Sequence, residues 1–208
     1  MKETALKIRV LGDAVLRKKA HPVKEVTLRH KEILGSMSRI MYEVSGIGLA
    51  APQVGLDEAM IVVDIGAGLY KLINPRITRR WGSQALEEGC LSVPGVCIKV
   101  KRAERVLVKA LDENGAPFTL EARGLLACVF QHEVDHLKGK LIVDYANFID
   151  KLKISKKLKR LKEDSEDESR PSEKDKNKAR LGGEVFLQKE GRDERLSKSE
   201  KKSCPLQL

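Results

Sequence analysis

No run of the roughly 20 consecutive apolar residues that a membrane-spanning helix requires occurs in the 208 residues. The opening Met1-Lys2-Glu3-Thr4-Ala5-Leu6-Lys7 also lacks the apolar stretch of a secretory signal, so the chain is expected in the cytoplasm and away from membranes. Cysteine is limited to four positions, Cys90, Cys97, Cys128 and Cys204, with no Cys-x-x-Cys pair and no disulfide-like spacing. At least one of them is therefore expected to be a ligand or a packed thiol rather than half of a bridge. No internal repeat is visible. The glycine pair Gly46-Ile47-Gly48 is followed by neither form of phosphate-binding loop, Gly-x-x-x-x-Gly-Lys or Gly-x-Gly-x-x-Gly.

What is present describes one medium-sized domain and an appendage. Hydrophobic residues make up 41% of the chain and charged residues 34%, which allows one substantial core under a strongly charged surface. The net charge of +10 is uneven: residues 151–208 hold 18 Lys and Arg against 12 Asp and Glu, so most of the excess lies there. A basic balance invites a nucleic-acid partner, but the location of the charge decides more than its total. We divide the chain into one folded domain over 1–150, a basic C-terminal helix over 151–162, and a charged tail over 163–208. The tail is too poor in apolar residues to offset its ordering entropy and is expected to be disordered.

Along the domain, Leu28, Ile33, Leu34, Met37, Ile40, Met41 and Val44 recur at the helical period, predicting a long helix from about Thr27, its cap, to Ser45, stopped by Gly46. Strands are expected over 59–64, over 70–74 with Pro75 as the stop, over 83–92, and over the alternating stretches 97–101 and 105–110. Asp112-Glu113-Asn114-Gly115 is a hairpin turn leading into 117–121. A second helix is expected from Gly124 to Lys138. Strands and helices follow one another without βαβ alternation, which predicts an α+β fold: mainly antiparallel sheets packed around one central helix, with a long N-terminal helix and a C-terminal helix.

That central helix carries Gln131-His132-Glu133-Val134-Asp135-His136. Histidines four apart stand one above the other on a helix face, so both imidazoles reach one ion, while the glutamate is placed to handle the proton of a water. A catalytic metal needs a third protein ligand. The two other histidines, His21 and His30, lie far upstream. Asp144, Asp150 and Glu163 stand downstream in charged surroundings that favour solvation. Cys90, between Gly89 and Leu91, is the better third ligand for Zn²⁺ or Fe²⁺. The low bulk of Gly46-Ile47-Gly48-Leu49-Ala50-Ala51 lets a ligand or another backbone approach the main chain.

Three stretches, Gly46-Ile47-Gly48-Leu49-Ala50-Ala51-Pro52-Gln53, Glu88-Gly89-Cys90-Leu91-Ser92 and Gln131-His132-Glu133-Val134-Asp135-His136, stand in the order and approximate spacing of the peptide deformylases, which the chain resembles over most of residues 5–150. The resemblance implies one divalent metal ion held by Cys90, His132 and His136, most often Fe²⁺ in this family, with Zn²⁺, Ni²⁺ or Co²⁺ also able to occupy the site. It implies that Glu133 moves the proton, and that the Gln53 side chain and the Leu91 backbone N–H serve as oxyanion donors. Gly46, Gly48 and Gly89 would flank a substrate lying as an added strand. Ile47, Leu125, Val129, Cys128 and Leu86 would line a methionine pocket. For Cys128, packing is the stronger reading. Cys97 stands where many members carry an arginine near the far end of the substrate. Asp135 and Arg102 either pair behind the site or each face water.

The implied activity is removal of the N-formyl group from the initiator methionine of newly made polypeptides, with release of formate. A zinc protease or amidase on the same helix is the competing enzyme reading. A third reading makes the basic helix a ribosome-binding element near the exit tunnel.

Overall fold

The computed structural model describes residues 6–169 together with Cys204 and Leu208. Seven strands and three α-helices carry the architecture: α1 (Leu28–Glu43), β1 (Gly48–Ala50), β2 (Met60–Val63), β3 (Tyr70–Trp81), β4 (Gln84–Cys90), β5 (Val93–Arg102), β6 (Arg105–Leu111), β7 (Pro117–Arg123), α2 (Gly124–His136) and α3 (Phe148–Ser169). One antiparallel sheet has the order β1-β2-β3-β6-β7, and β4 pairs with β5 in a separate two-stranded sheet. This is the expected α+β class.

The helix α2 is central because it is apolar nearly all round: Ala127, Cys128, Val129 and Phe130 are all fully buried. One side packs on Ile61, Val63, Leu72, Val106 and Val108 of the large sheet. The helix α1 covers the same sheet through Leu34, Met37 and Met41, which join Leu49, Met60 and Val62 in a second cluster. A third cluster gathers Leu16, Val96, Ile98 and Val100 with Leu141 and Ile142, and α3 lays Ile154, Leu158 and Leu161 on it.

Several local expectations change. The helix α1 ends two residues early, and Ser45 rather than Gly46 takes the left-handed turn, with φ 56°. At the start of α1, the Thr27 N–H donates to His30 Nδ1 at 3.0 Å, so His30 is a capping partner. Within the small-residue stretch another backbone does approach: Gly48–Ala50 is an edge strand paired with β2 and followed by a 3-10 turn, Ala51–Val54. Pro75 does not end its strand. The pairing of β3 with β6 shifts register between Ile73 and Arg76, beside the left-handed Asn74, and such an irregularity spares proline a ladder bond it cannot make.

The helix α3 runs to Ser169, past the boundary at 162, and its apolar stripe of Ile154, Leu158 and Leu161 packs on the third cluster. Of the tail, the structure describes 163–169, Cys204 and Leu208. The expectation of disorder falls otherwise on residues outside the described ones. Cys97 and Cys204 form a disulfide across 107 residues, a pairing that sequence spacing could not reveal, while Cys90 and Cys128 are free and buried.

Candidate metal centre

His132 and His136 leave α2 on one face, their rings 4.8 Å apart and inclined at 73°. Their Nε2 atoms stand 3.1 Å from each other, and Cys90 Sγ, at the end of β4, lies 3.3 Å from His136 Nε2. The three donor atoms all fall within 4.8 Å of one another. Two ligand atoms at 2.0–2.3 Å from a tetrahedral ion sit roughly 3.3–3.8 Å apart, so the set fits a divalent cation with only small adjustments. Without a cation the arrangement is costly. Burial pushes the Cys90 thiol up to about 12, and burial holds His136 well below the usual imidazole range. Two lone-pair nitrogens and a sulfur facing one another are accounted for by a positive charge among them.

Behind His132 a continuous chain of polar groups is satisfied. Glu88 Oε2 accepts from His132 Nδ1 at 3.0 Å, which fixes the tautomer and aims the Nε2 lone pair at the cluster. Glu88 is itself gripped by Arg102, whose Nε and Nη2 donate at 2.5 and 2.8 Å. Burial alone would raise the Glu88 carboxyl, but Arg102 and His132 bring it down to about 2. Arg102 Nη1 donates to Asp135 at 2.8 Å, Tyr145 O–H donates to the same carboxylate at 2.6 Å, and the guanidinium lies 5.2 Å from the Tyr145 ring centre. Asp135 and Arg102 thus pair and do not face water separately. The Cys128 thiol donates to Glu88 Oε1 at 3.0 Å, which keeps it engaged behind the site.

In front Glu133 is unmatched. It is fully buried, and neither of its carboxylate oxygens has a partner among the described residues; His136 Nδ1, on the far side of its ring from the donor Nε2, and Ser92 Oγ are also buried without partners among them. Burial pushes the Glu133 carboxyl well above its ordinary range. Gly48 makes room for it: a Cβ there would stand 2.9 Å from Glu133 Cδ and 3.0 Å from Val129 Cγ1. At Gly46 a Cβ would come within 3.0 Å of Leu91 Cδ1. Gln53, fully buried, accepts from the Ala50 N–H at 2.8 Å, leaving Nε2 3.7 Å from Cys90 Sγ. The Leu91 N–H and the Gly89 carbonyl are engaged by the backbone of Leu208. Val129 and Cys128 are fully buried in the apolar cluster against which Ile47, Leu86 and Leu125 pack half-buried.

The site residues expected from sequence therefore converge from β1, the turn after it, β4 and α2. Glu88 and Tyr145 carried no expectation of their own. A signal existed for Glu88: it stands two residues before Cys90 on a strand, a spacing that turns both side chains to one face.

A family model described as polypeptide deformylase matches residues 5–152. The chain belongs to that family. The peptide deformylase of Halothermothrix orenii is 50% identical over 141 residues, covering 67% of this chain and 92% of that protein. The one from Syntrophomonas wolfei is 52% identical over 132 residues, 64% of this chain and 87% of the relative. The crystal structure of the Thermus thermophilus peptide deformylase superimposes with a TM-score of 0.73 at 39% identity, covering 76% of this chain and 98% of that one. Membership makes the chain a metal-dependent hydrolase that removes the N-formyl group from the first methionine of new polypeptides, releasing formate. No helix among the described residues is long and apolar enough to cross a membrane.

Proposed function

We propose that Cys90, His132 and His136 hold one divalent ion, with Fe²⁺ as the native metal, and that the unpartnered, buried carboxyl of Glu133 beside them is the proton carrier of deformylation. The observation that carries this reading is the contrast at Glu133, a fully buried acid with both oxygens unpaired next to three converging donors. When bound, the ion supplies Lewis acidity, making a water nucleophilic near neutral pH and polarising the formyl oxygen.

Glu133 takes the water's proton and delivers it to the departing amine. The Gln53 side-chain N–H and the Leu91 backbone N–H donate to the oxygen on which negative charge develops. Glu88 holds His132 in the tautomer that presents Nε2. The substrate backbone runs beside Gly46, Gly48 and Gly89, where bulk is lowest, and its methionine side chain enters the apolar space of Ile47, Leu86, Leu125, Cys128 and Val129.

Protein loaded with Fe²⁺ under anaerobic conditions is expected to release formate from formyl-Met-Ala-Ser. The Glu133→Ala variant should lose at least about a hundredfold in kcat, the usual scale for general acid–base catalysis. Full activity in that variant would sink the mechanism. Cleavage of internal peptide bonds without deformylation would favour the protease reading. Metal analysis of protein purified without oxygen tests the assignment of iron, since a Cys/His₂ set also accepts Zn²⁺, Ni²⁺ and Co²⁺.

Residues 1–150 serve as the catalytic domain in this reading, in keeping with the span of the family match. We place the enzyme in the cytoplasm, acting on nascent chains, with α3 docking on the ribosome near the exit tunnel. In support, α3 presents exposed Lys151, Lys153, Lys156, Lys159 and Arg160, and starts with Phe148, Ile149 and Leu152 exposed. Its other face packs on the core, so reversing those charges is a cleaner test than truncation. Ribosome co-sedimentation should weaken with steep salt dependence while turnover of short formyl peptides persists.

A further inference from the structure

The backbone of Leu208 occupies the edge on which the substrate is expected to lie. Its N–H donates to the Gly89 carbonyl at 3.4 Å and its carbonyl accepts from the Leu91 N–H at 2.9 Å. A residue that bonds the carbonyl before Cys90 and the amide after it follows the pattern of parallel strands, as a peptide added to this edge would. The side chain is fully buried and belongs to the apolar cluster of Cys128 and Val129, against which Ile47, Leu86 and Leu125 pack. Leu208 thus meets three of the groups assigned above to substrate, namely the oxyanion donor, the Gly89 edge and the methionine pocket. Four residues earlier, Cys204 is joined to Cys97 of β5, the strand paired with β4, with Cα atoms 5.8 Å apart.

We propose that Leu208 is an intramolecular competitor of the nascent peptide, held in the substrate groove through the Cys97–Cys204 disulfide and released when that bond is reduced. The inference rests on the assignment of Leu91 and the apolar pocket to substrate. The chemistry is thiol–disulfide exchange with a small-molecule disulfide: one cysteine thiolate attacks it and expels one thiolate, and the second cysteine then attacks the mixed disulfide. The chain loses two protons and two electrons, and the small molecule leaves as two thiols. The bridge matters because a single leucine with two backbone hydrogen bonds binds weakly, whereas a tether of four residues holds it at an effective concentration on the order of millimolar. A ligand with a Kd of about 0.1 mM, held at about 1 mM, raises the KM of a competing substrate about tenfold and leaves kcat unchanged.

The test compares metal-loaded full-length protein, kept anaerobic, after equilibration with glutathione disulfide or with dithiothreitol, alongside Cys204→Ser and Leu208→Asp. Mass spectrometry reads the Cys97–Cys204 bond, amide hydrogen exchange reads the Leu91 N–H, and formate release reads kcat and KM. The oxidised chain should contain the bond, protect the Leu91 amide and show a KM about tenfold above the reduced chain at equal kcat. Both variants should show the low KM and the unprotected amide under either condition. Failure of the bond to form, or equal KM and equal amide exchange in the two states, overturns the proposal. Absence of formate release from every form, reduced Cys204→Ser included, would strike at the deformylase reading instead, and amide exchange would still decide the occupancy of the groove.

Discussion

The two sides of the Cys90, His132 and His136 cluster are built on opposite rules. Behind it, Glu88, Arg102, Asp135, Tyr145 and Cys128 form a chain in which each polar group has a partner at 3.0 Å or less. In front, both carboxylate oxygens of Glu133 are buried without partners among the described residues. Satisfied networks rigidify, and unsatisfied groups are left where a ligand or a reaction completes them. The rear therefore fixes donor positions, and the front keeps bonding capacity for metal, water and substrate.

Breaking the rear should cost most. Arg102→Leu leaves Glu88 as an uncompensated buried charge, and urea unfolding should show a loss of about 3–5 kcal/mol. A change under about 1 kcal/mol would mean that the rear is no more demanding than an exposed ion pair. The front should respond in the opposite sense. Glu133→Met removes an unpartnered buried acid at similar volume, so the metal-free protein should gain about 1–2 kcal/mol in the same measurement while formate release is abolished. Gly48→Ala places a methyl against Glu133 and Val129. It should lower kcat about 10- to 100-fold through displacement of the carboxylate, with circular dichroism unchanged.

The smallest effect is expected farther out, where Arg17 Nη1 donates to Asp144 at 2.6 Å. Burial opposes ionisation of Asp144, but Arg17 and the Leu141 N–H hold its carboxyl below the ordinary range. A depressed folded-state value means that the contribution is present above the unfolded carboxylate range and fades as pH falls below about 4. Both side chains are more than a third exposed, so solvent screening limits the effect to a few tenths of a kcal/mol. Asp144→Asn should destabilise slightly at pH 7, and the difference from the parent should shrink progressively in thermal unfolding as pH falls below about 4.

The same contrast explains what could be read from sequence. His132, Glu133 and His136 were legible because a helix makes the spacing i, i+4 a spatial statement. Cys90 was legible as a donor type, and Gln53 only by resemblance. The partnership of Glu88 with His132 and Arg102 was not, since it depends on how the β4–β5 hairpin is laid against α2, and that register is set by tertiary packing. Local chemistry also misled at Pro75, where a register shift accommodates a residue that usually stops a strand, and at Gly48–Ala50, whose small side chains concealed an edge strand. The Cys97–Cys204 pairing joins positions 107 apart and had no local signature at all.

The depth of the cluster has a kinetic meaning. Cys90, His132 and His136 are exposed by no more than 2% with Leu208 in its groove. A chelator in solution meets none of the three donors directly, so an ion lodged among them can leave no faster than the site opens. Release of Leu208, proposed above to admit a peptide, would then also hasten exchange of the metal.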